Sequence, residues 1–325
     1  MPAHEPHRAD RPSRATRSIA NVAILVDPPR WPAHGTVWAH MVSDTSLEEL
    51  HAFARAAGVP PRAFDLDHYD VPADRIPALL AAGAVSVSGR ELLVRLRASG
   101  LRVPGGARDA ERTRRRRTDL TRRWAEVAHP AVAEDAWAAI GADLLTRWQE
   151  EHRSYHDDVH LADVLDHLET LDGAGSPVSR AVLLAAWFHD AVYDGVPGQD
   201  EERSAELVVA TLGPYLPGAE AGEVARLVRL TATHQPDVTD HAGAALCDAD
   251  LAILASSPRR YAAYAAAVRA EYGHVPDCEF RRGRAQVLRT LLAHEHVFAS
   301  AEGRRRWEQA ARRNVAAELV RLDAG

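Results

Sequence analysis

Helical periodicity dominates the C-terminal two thirds of this chain and limits what the chain can fold into. From Trp124 onward, apolar residues recur every three or four positions, and no segment alternates as a convincing strand does. The clearest stretch places five apolar side chains on one helical face: Leu161, Val164, Leu165, Leu168 and Leu171. We therefore expect an all-α domain over residues 124–325.

The helices of this domain are predicted from the same periodicity and from start signals. One apolar helix begins near Ser176-Pro177, since proline favours the first helical position, and ends at His189. Further helices are predicted at about 136–149, 201–212, 219–233, 244–255, 258–272, 280–293 and 303–322.

The first hundred residues have a different pattern. Residues 1–20 are rich in Pro, Arg and His and show no apolar periodicity, which predicts a disordered tail. Short β-branched runs then alternate with helical stretches, which is typical of an α/β domain. The strands are expected at 22–26, 37–42 and 84–87, and the helices at 47–57, at 73–82 and in a last stretch ending at 99. The predicted fold class is α+β with two domains, a small α/β domain over residues 21–103 followed by an all-α bundle.

An arginine-rich segment at residues 104–123 is predicted to link the two domains. Its basic run suggests affinity for nucleic acid, but solvated linkers of this charge are commoner. The formal net charge of the whole chain is −7, and no aromatic residue interleaves with these arginines before Trp124. We therefore expect no nucleic-acid partner.

The composition excludes several reaction classes. The chain contains no lysine, so all 39 basic residues are arginine, and P-loop and Schiff-base chemistry are excluded because both need a lysine. Cys247 and Cys278 cannot build a disulfide framework. No apolar run approaches the roughly 18 residues that a membrane span requires. The sequence predicts a soluble cytoplasmic protein without membrane contact, and it leaves the oligomeric state open.

The dyad His189-Asp190 closes the apolar run at residues 181–188. Burying an imidazole beside a carboxylate is costly unless the charges are paired or bind a metal. The dyad is therefore a candidate metal site.

Three other segments of the helical domain carry ligand-type residues among apolar neighbours. They contain His156 and His160, then His234, then Asp248 and Asp250. Taken singly, such a histidine is more often a core residue, and such an aspartate is more often a helix N-cap. In this order on a helical scaffold, however, they resemble the HD superfamily of metal-dependent phosphohydrolases. The resemblance covers about residue 124 to the C-terminus.

The resemblance implies a metal centre formed by a histidine, the dyad and a distant aspartate: His160, His189, Asp190 and Asp250. Asp248 is the second choice for the last position. Two imidazoles and two carboxylates suit Mn²⁺, Fe²⁺, Co²⁺, Ni²⁺ or Zn²⁺, with Mg²⁺ possible. Such a metal would lower the pKa of a bound water to about 7 and place a hydroxide for attack on phosphorus.

The two histidines of the first segment receive different roles from the resemblance. His160 precedes Val164 by four positions, as the first ligand of the family commonly precedes a valine. His156 lies one turn earlier, and the pattern Tyr-His-x-x-x-His is similar to cyclic-nucleotide phosphodiesterases, in which the earlier histidine protonates the leaving group. His160 is therefore assigned to the metal and His156 to general acid catalysis. The reverse assignment is the alternative.

The chain is also similar to an uncharacterised bacterial branch of HD phosphohydrolases. The similarity rests on short motifs in the same order: Tyr155-His156, His189 to Asp194, Glu201 to Ala205, Ala-Thr-His234, Asp248 to Leu254, Arg269 to Tyr272, Gly283-Arg284 and Ala-Arg-Arg-Asn314. The expected substrate is a nucleotide or a similar small phosphate ester.

Further roles follow for polar residues beside these motifs. Without lysine, arginines must hold the phosphates, and the candidates are Arg153, Arg203, Arg269 and Arg284, each with a solvated surface role as the alternative. Glu201 is a candidate base or second-metal ligand, or a carboxylate that complements a helix dipole. His234 could bind a second metal or a phosphate oxygen, or orient Asp250. Tyr261 and Tyr264 could stack on a base, although core packing is the commoner use.

Residues 21–103 resemble a small bacterial domain family with no assigned function. The similarity rests on Leu-Val-Asp-Pro-Pro29 leading into Trp31, on Trp38 to Asp44, on Glu49 to Ala54 and on His68-Tyr-Asp70. Asp27, Asp44, His51 and His68 could form a polar cluster at the strand ends. The favoured alternative is that Asp44 caps a helix and the histidines lie on the surface, so we assign this domain no chemistry.

The sequence thus favours a metal-dependent phosphohydrolase, a phosphomonoesterase or phosphodiesterase. One alternative is a sensor that binds metal and nucleotide without turnover. A third reading is a di-iron oxygenase, because some relatives of the HD fold hold two irons.

Overall fold

The chain divides into two units, and the division falls within one helix. The computed structural model describes residues 23–33, 35–175, 178–196 and 198–324. The boundary between the units falls between Thr113 and Arg114. This boundary lies inside helix α4, Arg108–Glu126, so much of the predicted linker at 104–123 is helical. The predicted tail at 1–20 and residues 176–177 lie outside the described residues. The helix expected to begin near Ser176-Pro177 begins instead at Arg180, because the Ser179 side chain accepts from the Val182 N–H and caps it there.

The first unit is built on a mixed sheet of short strands. The strands are β1 (Ile24–Val26), β2 (Trp31–Ala33), β3 (Thr36–Ser43), β4 (Phe64–Asp65), β5 (His68–Pro72) and β6 (Val85–Ser86). Their order is β4-β5-β3-β1-β6, with β2 also paired to β3. The β1–β6 pair is parallel and the other pairs are antiparallel. The predicted strands correspond to β1, β3 and β6, whereas β2 and the β4–β5 hairpin were not predicted.

Helices cover both faces of this sheet. They are α1 (Leu47–Ala56), α2 (Ile76–Ala81) and α3 (Gly89–Ala98), close to their predicted bounds. Ser46 and Ser88 cap α1 and α3 by accepting a hydrogen bond from the backbone N–H three residues on. Successive strand side chains point to opposite faces, so Val26 packs with Leu50 in one core while Leu25 packs with Leu92 in the other.

The second unit is helical, as its periodicity predicts, and its described residues contain no strand. After α4 come α5 (Glu134–Arg147), α6 (Asp158–Asp172), α7 (Arg180–Phe188), α8 (Gln199–Leu212), α9 (Gly218–Leu230), α10 (His241–Leu251), α11 (Pro258–Glu271), α12 (Asp277–Ala293) and α13 (Ala301–Ala324). One apolar core joins α4 to α10, and a second joins α11, α12 and α13 to residues 253–254.

The sequence prediction is therefore confirmed at the coarse level of a small α/β unit followed by a largely helical unit. Among the described residues, every helix is too short or too polar to cross a lipid bilayer.

Candidate metal centre

His160 lies in the first turn of α6 because a local cap starts the helix just before it. The Asp157 carboxylate accepts hydrogen bonds from the backbone N–H groups of Val159 and His160. The five predicted apolar residues of α6 are all buried. His160 shares this buried side of the helix, since Val164 lies one turn further on.

The dyad follows the last turn of α7, where backbone contacts hold it. The His189 N–H donates to the Ala185 carbonyl, and His189 Nδ1 lies 2.8 Å from the Ala186 carbonyl oxygen. Nδ1 therefore donates to the carbonyl, and Nε2 is the ring nitrogen that faces the other donors. Asp190 follows His189, and its backbone carbonyl accepts a hydrogen bond from Arg153 Nη1 at 2.7 Å.

Asp250 comes from the last turn of α10 and is held by a histidine from the segment after α9. His234 Nε2 lies 2.7 Å from Asp250 Oδ2. His234 has a φ of 53°, a conformation that costs a non-glycine residue energy. Among the roles predicted for His234, this contact is the geometry expected for orienting Asp250.

Four donor atoms converge between these segments. His160 Nε2 is 3.1 Å from both His189 Nε2 and Asp250 Oδ1. Asp190 Oδ2 is 3.3 Å from His189 Nε2 and 3.8 Å from His160 Nε2, and His189 Nε2 is 3.8 Å from Asp250 Oδ1. Ligand atoms bound tetrahedrally at about 2.1 Å from one ion are about 3.4 Å apart. Donor atoms of His160, His189 and Asp190 all lie within 4.8 Å of one another, whereas Asp250 approaches this group through the two histidines. The two histidines and Asp190 therefore fit a divalent ion, with Asp250 as a further donor beside the histidines.

The electrostatics of the cluster also favour a cation. Burial lowers the pKa of His189, but the carboxylates of Asp190 and Asp250 more than offset this and raise it to about 9. Burial raises the pKa values of the two carboxyls, yet the adjacent histidines hold both well below their usual range. Positive charge is thus stabilised at this buried position.

His156 lies beside the cluster and is fixed by a residue that sequence analysis did not single out. Its Nδ1 is 2.7 Å from Glu271 Oε2, while Glu271 Oε1 accepts from the backbone N–H groups of residues 154–156. The Tyr193 hydroxyl donates to Glu271 Oε2 at 3.0 Å, and the Tyr193 ring stacks on His156 with centroids 4.2 Å apart. Burial lowers the pKa of His156, but the carboxylates of Glu271, Asp190 and Asp250 outweigh this effect. The net result is a raised pKa, which favours the imidazolium.

Arg153 and Arg284, two of the four arginines predicted to bind phosphate, are engaged inside the protein. The guanidinium of Arg153 donates to Glu150 and to three backbone carbonyls, of residues 156, 190 and 191. Arg284 donates to Glu318 and to the Tyr264 hydroxyl. Arg153 thus joins the His156 segment to the turn that carries Asp190.

The other two predicted arginines are more exposed. Arg203 pairs with Asp194 in the loop after the dyad. Arg269 donates to Asp277 and to the carbonyls of Tyr272 and Val275 at the end of α11. For all four arginines, phosphate binding stays a prediction.

The remaining candidates of the helical unit have local partners. Glu201 accepts from the Gly198 N–H and caps α8. Asp248 accepts from the N–H groups of Ala299 and Ser300, which leaves Asp250 as the aspartate that meets the histidines. The Tyr261 hydroxyl donates to Glu318 in the core.

The four residues proposed as a polar cluster in the first unit have separate partners. Asp44 pairs with Arg95, and His51 Nδ1 lies 2.8 Å from the Tyr69 hydroxyl. Asp27 contacts His40, and His68 contacts Asp67. Neither His40 nor Asp67 was singled out from the sequence.

Fold and site together define a chain with a small α/β unit and a helical unit that gathers histidine and aspartate donors. Residues 24–99 match the model of a family described as a protein of unknown function (DUF4031). This match agrees with the resemblance noted for the first unit. Comparisons with curated proteins and with solved structures find no match. They give no evidence for an HD domain in the helical unit, where the resemblance stays a prediction.

Proposed function

We propose that this chain is a metal-dependent phosphohydrolase that acts on a nucleotide or a similar small phosphate ester. The observation that carries the proposal is that donor atoms of His160, His189 and Asp190 lie within 4.8 Å of one another, with Asp250 Oδ1 3.1 and 3.8 Å from the two histidine nitrogens. Two buried imidazoles beside two half-buried carboxylates require a compensating positive charge, which supports a metal-binding role.

The residues that would hold the ion are these four. A bound divalent ion supplies a Lewis acid for a phosphoryl oxygen and makes a water nucleophilic near neutral pH. His234 keeps Asp250 turned toward the histidines, and the Ala186 carbonyl keeps the lone pair of His189 Nε2 directed at the site.

His156 is the proton donor in this proposal. Glu271 occupies its Nδ1, so Nε2 carries the proton that would go to the leaving oxygen of the ester. Despite the burial of His156, the carboxylates of Glu271, Asp190 and Asp250 raise its pKa, which favours the protonated form. Its ring centroid is 5.7 Å from that of His160, so a single small ester bound at the ion would lie near both histidines.

The test is a hydrolysis assay of the metal-replete chain across nucleotides and generic phosphate mono- and diesters, with metal content measured in parallel. We expect Asp190→Ala to lose bound metal and at least about 100-fold of the activity, since even outer-shell changes at metal sites cost about 10–100-fold. The matched control is Asp194→Asn, an exposed carboxylate of the same loop.

Two outcomes would contradict the proposal. One is an Asp190→Ala chain with full metal content and full activity. The other is a wild-type chain that binds metal and nucleotide but turns over no ester, which is the behaviour of a sensor.

A further inference from the structure

A second group of histidine and carboxylate side chains lies on the sheet of the first unit. His40 of β3 and Asp70 of β5 are directly opposite each other in the antiparallel register. His68 lies two residues before Asp70 on β5, so it points to the same face of the sheet. The rings of His40 and His68 meet edge to face with centroids 5.0 Å apart.

Each of these histidines is anchored through the same ring nitrogen by a carboxylate. His40 Nδ1 lies 3.1 Å from Asp27 Oδ2, and the other oxygen of Asp27 accepts from the His40 N–H at 2.7 Å. His68 Nδ1 lies 2.6 Å from Asp67 Oδ1. Metal-ligating histidines almost always have such a partner on the non-ligating nitrogen, which fixes the ring and the tautomer. The pattern occurs twice here and leaves both Nε2 atoms for a ligand.

The anchoring carboxylate of His68 is itself firmly held. The Asp67 side chain is fully buried and accepts from the Val103 N–H at 2.7 Å and from Arg102 at 2.9 Å. These contacts hold the carboxylate in place, and the carboxylate in turn keeps His68 in one orientation.

The donor atoms of this group are close together. His68 Nε2 is 3.6 Å from Asp70 Oδ1. One donor atom from each of His40, His68 and Asp70 lies within 4.8 Å of the other two. The Asp70 side chain is 47% exposed, so small adjustments can close the set and water can complete a coordination sphere.

We propose that His40, His68 and Asp70 bind a divalent transition-metal ion, with Asp27 and Asp67 as the orienting carboxylates. Two imidazoles with one carboxylate suit Zn²⁺, Fe²⁺, Co²⁺ or Mn²⁺ and leave positions for water or a ligand. Asp70 also lines a cavity of about 630 Å³ together with Trp31, Trp38 and Phe64, where a ligand has room. This site lies in the segment that matches the family of unknown function and is independent of the phosphohydrolase proposal.

The experiment is equilibrium dialysis of the full chain against Zn²⁺ at neutral pH. The starting variant carries His189→Ala and Asp190→Ala, which removes donors of the other centre. We expect it to bind one Zn²⁺, and adding Asp70→Asn or Asp27→Asn to weaken binding by about 10–100-fold. Adding both His40→Ala and His68→Ala should abolish binding, whereas adding His51→Ala, a histidine of the same unit outside the cluster, should leave it unchanged.

The proposal is overturned if the starting variant binds no Zn²⁺, or if the Asp70→Asn change leaves its affinity as it was. Asp70→Asn is nearly isosteric at a half-exposed position, so it tests the site even if the histidine variants unfold. If the starting variant does not fold, the same comparison is made in the otherwise unchanged chain. There Asp70→Asn should weaken the binding of one Zn²⁺ per chain by the same factor, and unchanged binding would refute the site.

Discussion

At the residue scale, Glu271 decides how His156 can act. Its two carboxylate oxygens have different partners. Oε1 accepts hydrogen bonds from three backbone N–H groups, and Oε2 contacts His156 Nδ1 and accepts from the Tyr193 hydroxyl. Burial raises the pKa of Glu271, but these contacts, led by His156, lower it to about 2. A permanently ionised carboxylate therefore supports the imidazolium of His156.

We expect Glu271→Gln to reduce kcat by about 10–100-fold while KM changes little. This is less than the roughly 10²–10⁴-fold loss expected for His156→Ala, because Glu271 only positions His156 and does not itself donate the proton. The raised pKa of His156 keeps the acid protonated below that pKa, and activity is lost as pH rises through it. Without the carboxylate the pKa falls, so the alkaline limb of the kcat profile should move to lower pH.

The control for this pH profile is Glu279→Gln, an exposed carboxylate on α12. An alkaline limb that stays in place in Glu271→Gln would mean that the carboxylate only stabilises the fold.

At the element scale, the packing of α4 on α5 depends on one glycine. The indoles of Trp124 and Trp137 stack with centroids 4.5 Å apart, and each indole N–H donates to the backbone carbonyl of the other residue. A Cβ added at Gly141 would lie 2.3 Å from the Trp124 ring. The absence of a side chain at residue 141 lets the two helices come together.

We expect Gly141→Ala to lower the free energy of unfolding by roughly 1–3 kcal/mol through overpacking. The matched control is Gly222→Ala on α9, where an added Cβ meets nothing within 4 Å. There the better helix propensity of alanine should stabilise by roughly 0.5–1 kcal/mol. Urea denaturation of both variants measures the difference in the free energy of unfolding. Equal values would show that the Trp124 ring moves aside for the added methyl group without destabilising the fold.

Elements were the most predictable level of this protein. The five-residue apolar face of α6, the end of α7 and the bounds of α8 and α11 follow from spacing within each segment, because helical periodicity is a local property. The β4–β5 hairpin was missed, since its strands are short and its turn places Leu66 at a positive φ of 64°. Turns of this kind usually carry glycine or asparagine, so the sequence signal was weak.

At the scale of the whole molecule, the candidate metal centre joins elements that are distant in sequence. His160 begins α6, His189 ends α7 and Asp250 ends α10. An ion bound by all three would stabilise the helical unit, because the unfolded chain does not bring these donors together.

We expect free metal at about 100 times its dissociation constant to add about 2.7 kcal/mol to the stability of this unit. Thermal unfolding with divalent metal or with chelator measures the effect. The stabilisation should persist in Asp70→Asn and disappear in Asp250→Ala. Equal stabilisation of the Asp250→Ala chain would show that the ion binds elsewhere.

The sequence by itself determined which segments are helical, and it singled out His160, His189, Asp190 and Asp250 as a possible set. Only the tertiary structure decided which donors meet: it turned Asp248 toward residues 299–300, bound His234 to Asp250 and brought Glu271 to His156 from 115 positions away. The physical reason is the distance along the chain over which each effect acts. Periodicity and capping act between residues a few positions apart, whereas these contacts depend on how whole helices pack, which no local pattern encodes.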